Sequence, residues 1–193
     1  MEAFNTLQGE GFMSGRAAYF IRLAGCDVGC HWCDVKESWE VGREQLVSID
    51  EIVKKAASYP GRFAVITGGE PLIYDLNLLT HRLIEKGFEL AIETSGAYPL
   101  SGTWHWICLS PKKRMEPKEE IYQKANELKV VIYNQDDFRW AESQRQKVSK
   151  DCLLYLQPEW SKADKMQELI INYIKENPAW RISLQSHKFL DIP

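Results

Sequence analysis

Along the chain, short and nearly continuous apolar runs alternate with longer stretches in which apolar residues recur about every 3.6 positions. That alternation is the mark of strands buried on both faces and joined by amphipathic helices. Strands are expected at 18–23 (AYFIRL), 62–67 (RFAVIT), 88–92, 104–109, 128–133 (LKVVIY), 152–157 (CLLYLQ) and 180–185. Between the first two lies a capping box, Ser48-Ile49-Asp50-Glu51, which predicts a helix to about residue 58 with Ile52, Val53 and Ala56 on one face. Pro60-Gly61 stops it. Asp75 caps a second helix with Leu76, Leu79, Leu83 and Ile84 at core spacing, ended by Gly87. Further helices are expected at 136–148 and at 161–176, the latter with a stripe of Met166, Leu169, Ile170 and Tyr173. Strands and helices in strict alternation imply parallel pairing with right-handed crossovers. The expected fold is α/β, an incomplete (β/α) barrel open on one side, formed by a single domain over residues 1–193 with no internal repeat or linker.

Composition narrows the function. A chain of 193 residues, 45% hydrophobic, can bury a core without disulfide or metal staples. Its 24 Lys and Arg nearly balance 27 Asp and Glu, which gives no field to attract a nucleic-acid backbone or an anionic membrane. No apolar run approaches a membrane span, and the opening MEAFNTLQGEGF lacks the order of a signal peptide, so a cytoplasmic enzyme is expected. Five cysteines, an odd number, suit a reducing compartment.

Three of those cysteines carry the strongest chemical signal. In GCDVGCHWCD, Cys26, Cys30 and Cys33 are spaced C-x3-C-x2-C directly after the first expected strand. Structural zinc takes four ligands and a conventional electron-transfer cluster four cysteines, whereas a cubane held by three keeps one iron free for another ligand. The competing readings are a zinc site with His31 as fourth ligand, or three unrelated thiols. Cys108 and Cys152 are expected to pack as buried thiols, and His81 to be a surface or packed histidine rather than a ligand.

Polar words fall at the ends of the other strands, the edge at which open α/β sheets bind ligands. Gln8-Gly9-Glu10-Gly11 reads as a turn that brings backbone close to something, or as an ordinary surface turn. Arg22 interrupts an apolar strand, so it is either ion-paired near the strand's end or turned toward an anionic ligand. Gly68-Gly69-Glu70-Pro71 offers exposed backbone and a carboxylate able to accept from an ammonium group. Glu93-Thr94-Ser95-Gly96 and Ser110-Pro111-Lys112 follow, the second either a grip on a ribose or carboxylate or a basic loop continued by Lys113 and Arg114.

The cysteine motif, with Trp32 before the third cysteine and the GGE turn after the next strand, resembles the radical S-adenosylmethionine (SAM) superfamily. The ordered series LQGEG, FIRL, GCDVGCHWCD, TGGEP, ETSG, SPK, LQPE and SLQSHK resembles, over essentially the whole chain, the 7-carboxy-7-deazaguanine synthase family. The resemblance implies a radical SAM partial barrel and a homodimer supplied by an external one-electron donor of flavodoxin or ferredoxin type. The implied reaction converts a pterin, 6-carboxy-5,6,7,8-tetrahydropterin, to 7-carboxy-7-deazaguanine with loss of ammonia, in queuosine or deazapurine biosynthesis. It implies a 4Fe-4S cluster on Cys26, Cys30 and Cys33, and SAM held by Trp32, Cys33, Asp34, Gly69, Glu70, Glu93, Ser110, Pro111 and Lys112. Substrate would meet Leu7, Gln8, Gly9, Glu10, Arg22, Thr67, His187 and Pro193. Where the family has a magnesium-binding threonine this chain has Val35, which carries no ligand atom, so either Mg2+ rests on substrate, water and a neighbour such as Asp34, or magnesium matters less here. Another small radical SAM enzyme, such as an activase of a partner protein, shares the cysteines and GGE turn; it would not require LQGEG, the FIRL arginine or SLQSHK.

Overall fold

The computed structural model describes residues 2–33, 35–42 and 46–193. Its strands are β1 (Glu2–Leu7), β2 (Ala17–Leu23), β3 (Phe63–Gly68), β4 (Glu89–Thr94), β5 (Trp106–Leu109), β6 (Glu127–Ile132), β7 (Leu153–Pro158) and β8 (Trp180–Ile182). The helices are α1 (Ile49–Ala57), α2 (Asn77–Glu85), α3 (Glu119–Lys124), α4 (Asp136–Arg145), α5 (Ala163–Glu176) and α6 (Ser186–Leu190). The strands form one sheet in the order of the chain, β1 to β8, parallel from β2 onward and not closed on itself. The expected open (β/α) barrel is therefore what the chain forms.

Strand parity separates the two faces of the sheet. Tyr19, Ile21, Ala64, Ile66, Leu90, Ile92, Leu128, Val130, Leu154 and Leu156 point outward into one large core, where Ile52, Val53, Ala56, Leu79, Leu83, Met166 and Ile170 of the helices meet them. Many of these are fully buried, so truncating one such Leu or Ile to Ala costs about 2–5 kcal/mol. On the concave face a smaller cluster, Ala18, Phe20, Phe63, Val65 and Ala91, plugs the end of the barrel nearer the strand starts. Beyond it the same face turns polar, with Arg22, Thr67, Glu93, Lys129 and Gln157 around a cavity at the strands' C-terminal ends.

The signals for α1 act as read from sequence: Ser48 Oγ accepts from Glu51 N at 3.2 Å, and the buried face is Ile52, Val53 and Ala56. In α2 the cap position falls instead to Leu76, which makes no side-chain cap bond, while Asp75 Oδ1 one residue earlier accepts from Asn77 N at 2.9 Å; Gly87 follows the helix with φ at 79°. His81 lies on the surface 3.4 Å from Glu85.

Four features differ from expectation. An antiparallel strand, β1, precedes the first expected one and pairs with β2 in the register Glu2↔Arg22 to Leu7↔Ala17. Its residues are all half-buried or exposed, so it lacks the apolar run that marks the others. The short helices α3 and α6 escape detection because neither spans two full turns of periodicity. Trp160–Lys162 forms a 3₁₀ turn ahead of α5, and the last strand stops at Ile182. Cys108 and Cys152 are both buried thiols as expected, the former 3.6 Å from Glu127 Oε1.

Candidate active site

The loops after β1–β5, β7 and β8 meet at one cavity of about 260 Å³, to which β6 contributes Lys129 and Val131. The cysteine loop leaves β2 through Gly25, whose φ of 100° turns the chain beneath the Tyr74 ring. Tyr74 donates its hydroxyl to Ala24 O at 2.7 Å, and Gly25 N donates to Ser38 O at 2.6 Å. The GGE turn after β3 closes on the same loop, with Gly69 N donating to Leu23 O and Glu70 N to Gly25 O at 2.8 and 2.9 Å. A Cβ on Gly69 would overlap Gly25 O and come within 2.9 Å of Cys26 Cβ, so only glycine permits this approach. Farther along, Arg114 Nη1 donates to Gly29 O at 2.7 Å, and the Tyr98 hydroxyl is hydrogen-bonded to Asp27.

Cys26, Cys30 and Cys33 are half-buried free thiols, and all three line the cavity. Burial pushes the Cys26 and Cys30 thiols above their ordinary value, so metal uptake releases protons. The three fit an iron–sulfur cluster, being thiolate donors on one tightly braced loop that faces a ligand-sized space. His31, the fourth ligand of the zinc reading, packs its ring edge-on against Tyr133 at 5.1 Å.

Of the residues expected at SAM, Trp32, Gly69, Glu70, Glu93, Ser110 and Lys112 line this cavity with the cysteines. Asp34 lies outside the described residues. Pro111 is buried and does not line the cavity; it fixes the turn between two residues that do. Lys112 Nζ folds back to Ser110 O and Oγ, both at 2.7 Å, and stands 5.5 Å from the Trp32 ring centre. Burial lowers its pKa.

Glu70 departs from its expected part as an acceptor for a ligand ammonium. Its side chain is 1% exposed, and both oxygens are already taken. Oε1 accepts from Leu72 N at 3.0 Å and Thr94 Oγ1 at 2.5 Å, while Oε2 accepts from Ser95 N at 2.8 Å and Ser95 Oγ at 2.5 Å. The carboxylate thus pins the loop after β4 to the GGE turn, and the turn's backbone is what remains to face a ligand.

The residues expected at substrate, Leu7, Gln8, Gly9, Glu10, Arg22, Thr67, His187 and Pro193, all line the cavity. Gly9 lies directly under the His187 ring, and its carbonyl accepts from Ser186 N and Oγ, each at 2.9 Å. Pro193 O accepts from Thr6 Oγ1 at 3.1 Å. Arg22 is ion-paired, as one of its two readings has it, with Nη1 2.6 Å from Glu2 Oε1, and its side chain borders the cavity.

The largest omission from the sequence reading is Lys129. Its ammonium is 2.5 Å from Glu10 Oε2 and 2.8 Å from Glu93 Oε2, with the side chain 3% exposed. Gln8 Nε2 donates to Glu93 Oε1 at 2.8 Å and Gln185 Nε2 to Glu10 Oε1 at 2.9 Å, completing a five-residue polar floor. Burial raises the Glu10 carboxyl, but the charge and hydrogen bond of Lys129 and the bond from Gln185 outweigh it and hold the pKa at about 2. Lys129 is pushed well above the usual lysine value, its desolvation outweighed by the surrounding anionic groups. Gln157 and Gln185 also border the cavity unannounced. A charge inside the apolar run LKVVIY was the available signal, the same one that singled out Arg22.

A three-cysteine loop at the C-terminal edge of an open parallel barrel, closed over by a GGE turn, defines a radical SAM protein, and the family model described as the Radical SAM superfamily matches residues 20–109. Along its whole length the chain is 54% identical to a 7-carboxy-7-deazaguanine synthase of Flavobacterium psychrophilum, covering 91% of that protein. It is 38% identical to one from Escherichia coli, with 99% of this chain and 97% of the relative covered. The crystal structure of QueE from Escherichia coli superposes with a TM-score of 0.82 at 36% identity, covering 96% of this chain and 92% of that one. The chain belongs to the 7-carboxy-7-deazaguanine synthase family.

Proposed function

We propose that this chain is a radical SAM lyase that converts 6-carboxy-5,6,7,8-tetrahydropterin to 7-carboxy-7-deazaguanine with loss of ammonia. The observation that carries this reading is that the three cysteines and every described residue expected at substrate line one cavity. The product serves queuosine or a related deazapurine. Two copies of the chain associate in the cytoplasm, and an external flavodoxin or ferredoxin supplies the electron.

Cys26, Cys30 and Cys33 would hold a 4Fe-4S cluster that also binds SAM. When bound, cluster and SAM together supply one-electron cleavage of the sulfonium and the radical that starts the reaction. The rest falls to the side chains. Glu10, kept ionised by Lys129 at any working pH, accepts the N–H groups of the aminopyrimidine edge. Arg22 offers its second guanidinium nitrogen to the substrate carboxylate while Glu2 holds the first. Thr67, paired beside Arg22 in the sheet, and His187 above Gly9 close the remaining sides. Gly69, Trp32, Ser110 and Lys112 border the SAM end. Val35 lines the cavity with no oxygen on its side chain, and no step is assigned to Mg2+.

The test is an anaerobic reaction of cluster-reconstituted protein with reductant, SAM and carboxytetrahydropterin, read by mass spectrometry, with and without magnesium. Carboxydeazaguanine together with 5′-deoxyadenosine is expected. Deoxyadenosine alone would remove the substrate and keep the radical SAM class; neither product from fully loaded protein would remove both.

A further inference from the structure

We propose that Lys129 is a positioning residue that couples the two ligand sites, because its one ammonium is shared between Glu10 on the substrate side and Glu93 on the SAM side. The inference rests on the reading of the cavity given above. Lys129 reaches the two carboxylates from β6, at 2.5 and 2.8 Å, so one ammonium bridges them.

A purely structural salt bridge is a poor account of this arrangement. Removing an ammonium and two carboxylates from water costs several kcal/mol per ion, and an apolar core of the same volume is often as stable. The second rank of groups also tightens the geometry rather than diluting it. Gln8 occupies the other oxygen of Glu93, and Gln185 the other oxygen of Glu10, so each carboxylate is fixed in rotation and its remaining lone pairs are aimed. On the same strand, Glu127 is 2% exposed and its pKa is raised by burial, while its Oε2 accepts from Phe12 N at 3.1 Å and Trp106 Nε1 at 3.2 Å. His187 acts on Glu10 by its charge, and Cys108 and Lys112 face Lys129 in the same way.

Occupancy of one site must then be felt at the other. When donors on the pterin engage Glu10, they compete with Lys129 for its oxygens, and the ammonium shifts its share of attraction to Glu93. Glu93 is held more firmly in the orientation a SAM-side hydroxyl or amine would meet, so the second ligand loses less freedom on binding. Linkage makes the effect mutual: SAM tightens the pterin by the same factor.

The measurement is equilibrium dialysis of SAM on the anaerobically reconstituted protein, with and without saturating carboxytetrahydropterin and without reductant, so that no turnover occurs. Wild type is expected to bind SAM at least about fivefold more tightly with the pterin present, within the usual range of coupling between sites. Lys129→Met should bind both ligands more weakly with a factor near one, and Lys129→Arg should recover part of the coupling. Iron content and the cluster's visible spectrum show whether each variant is loaded. If Lys129→Met does not fold, Lys129→Arg and Glu93→Gln report the same factor. A wild-type factor of one, or a factor unchanged in loaded variants, overturns the proposal while leaving the enzymatic reading intact. A pterin that neither binds nor turns over would remove that reading as well.

Discussion

Replacing Glu70 with Gln separates a structural carboxylate from a ligand-binding one. The side chain receives two backbone N–H groups and two hydroxyls, two donors on each oxygen. Glutamine keeps one oxygen and turns the other into a donor. With the amide oxygen on Ser95, the new NH₂ faces Leu72 N and Thr94 Oγ1; turned over, it faces Ser95 N and Oγ. A hydroxyl can rotate to accept, but a backbone N–H cannot, so either orientation strands one buried donor at a cost of about 1–3 kcal/mol. The two surviving bonds also lose their charge assistance, roughly another 1 kcal/mol. The sum is about 3 kcal/mol, which for a chain of this size lowers the melting temperature by about 6–12 °C.

Thermal unfolding of the apoprotein under reductant, followed by far-UV circular dichroism, reads this directly. SAM affinity of the reconstituted variant is measured alongside. A melting point within about 2 °C of wild type, together with SAM binding weakened tenfold or more, would refute the reasoning and return Glu70 to the ligand. The expected pattern is the reverse, with stability falling far more than affinity in whatever fraction remains folded.

Three further outcomes follow from single contacts. Gly69→Ala forces a methyl group into Gly25 O and Cys26, so iron bound per chain after reconstitution should fall while circular dichroism shows the barrel intact. Ser48→Ala removes the cap on Glu51 N and should cost about 1 kcal/mol in urea denaturation, with no effect on iron uptake. The Glu10 carboxyl has a folded value of about 2 against an ordinary 4.5, so its contribution to stability is complete above pH 4.5 and disappears as the pH falls toward 2. Glu10→Gln should therefore flatten the acid limb of the stability curve in that window; an unchanged limb would place the acid sensitivity elsewhere.

How much of this was legible in the sequence depends on which interactions are local. The seven parallel strands announce themselves because burial on both faces leaves unbroken apolar runs, and Ser48 to Glu51 closes its hydrogen bond within four residues. The edge strand β1, wet along much of its length, gives no such run. Glu70 was legible as a carboxylate beside a glycine turn, but its role is settled by Thr94 and Ser95, which only the fold brings to it.

Lys129 was hidden for a related reason, and strand parity shows how narrowly. Arg22 faces the cavity, and the register passes Arg22↔Thr67 from β2 to β3. Val65↔Ala91 carries the same face to β4, where Glu93 follows two residues on. Glu93↔Cys108, Cys108↔Glu127 and Lys129↔Tyr155 then carry it across β5, β6 and β7. Once one residue of each strand is placed, every second residue faces the same way, and Lys129 and Gln157 must point inward beside Arg22, Thr67 and Glu93. The missing quantity was the register alone, and register is set by which outward-facing residues can all be buried under the helices at once. Without register Lys129 is one charge in an apolar run; with it, that parity sets the ammonium among the cavity's carboxylates, where burial without a partner would cost several kcal/mol, on the order of 3–5.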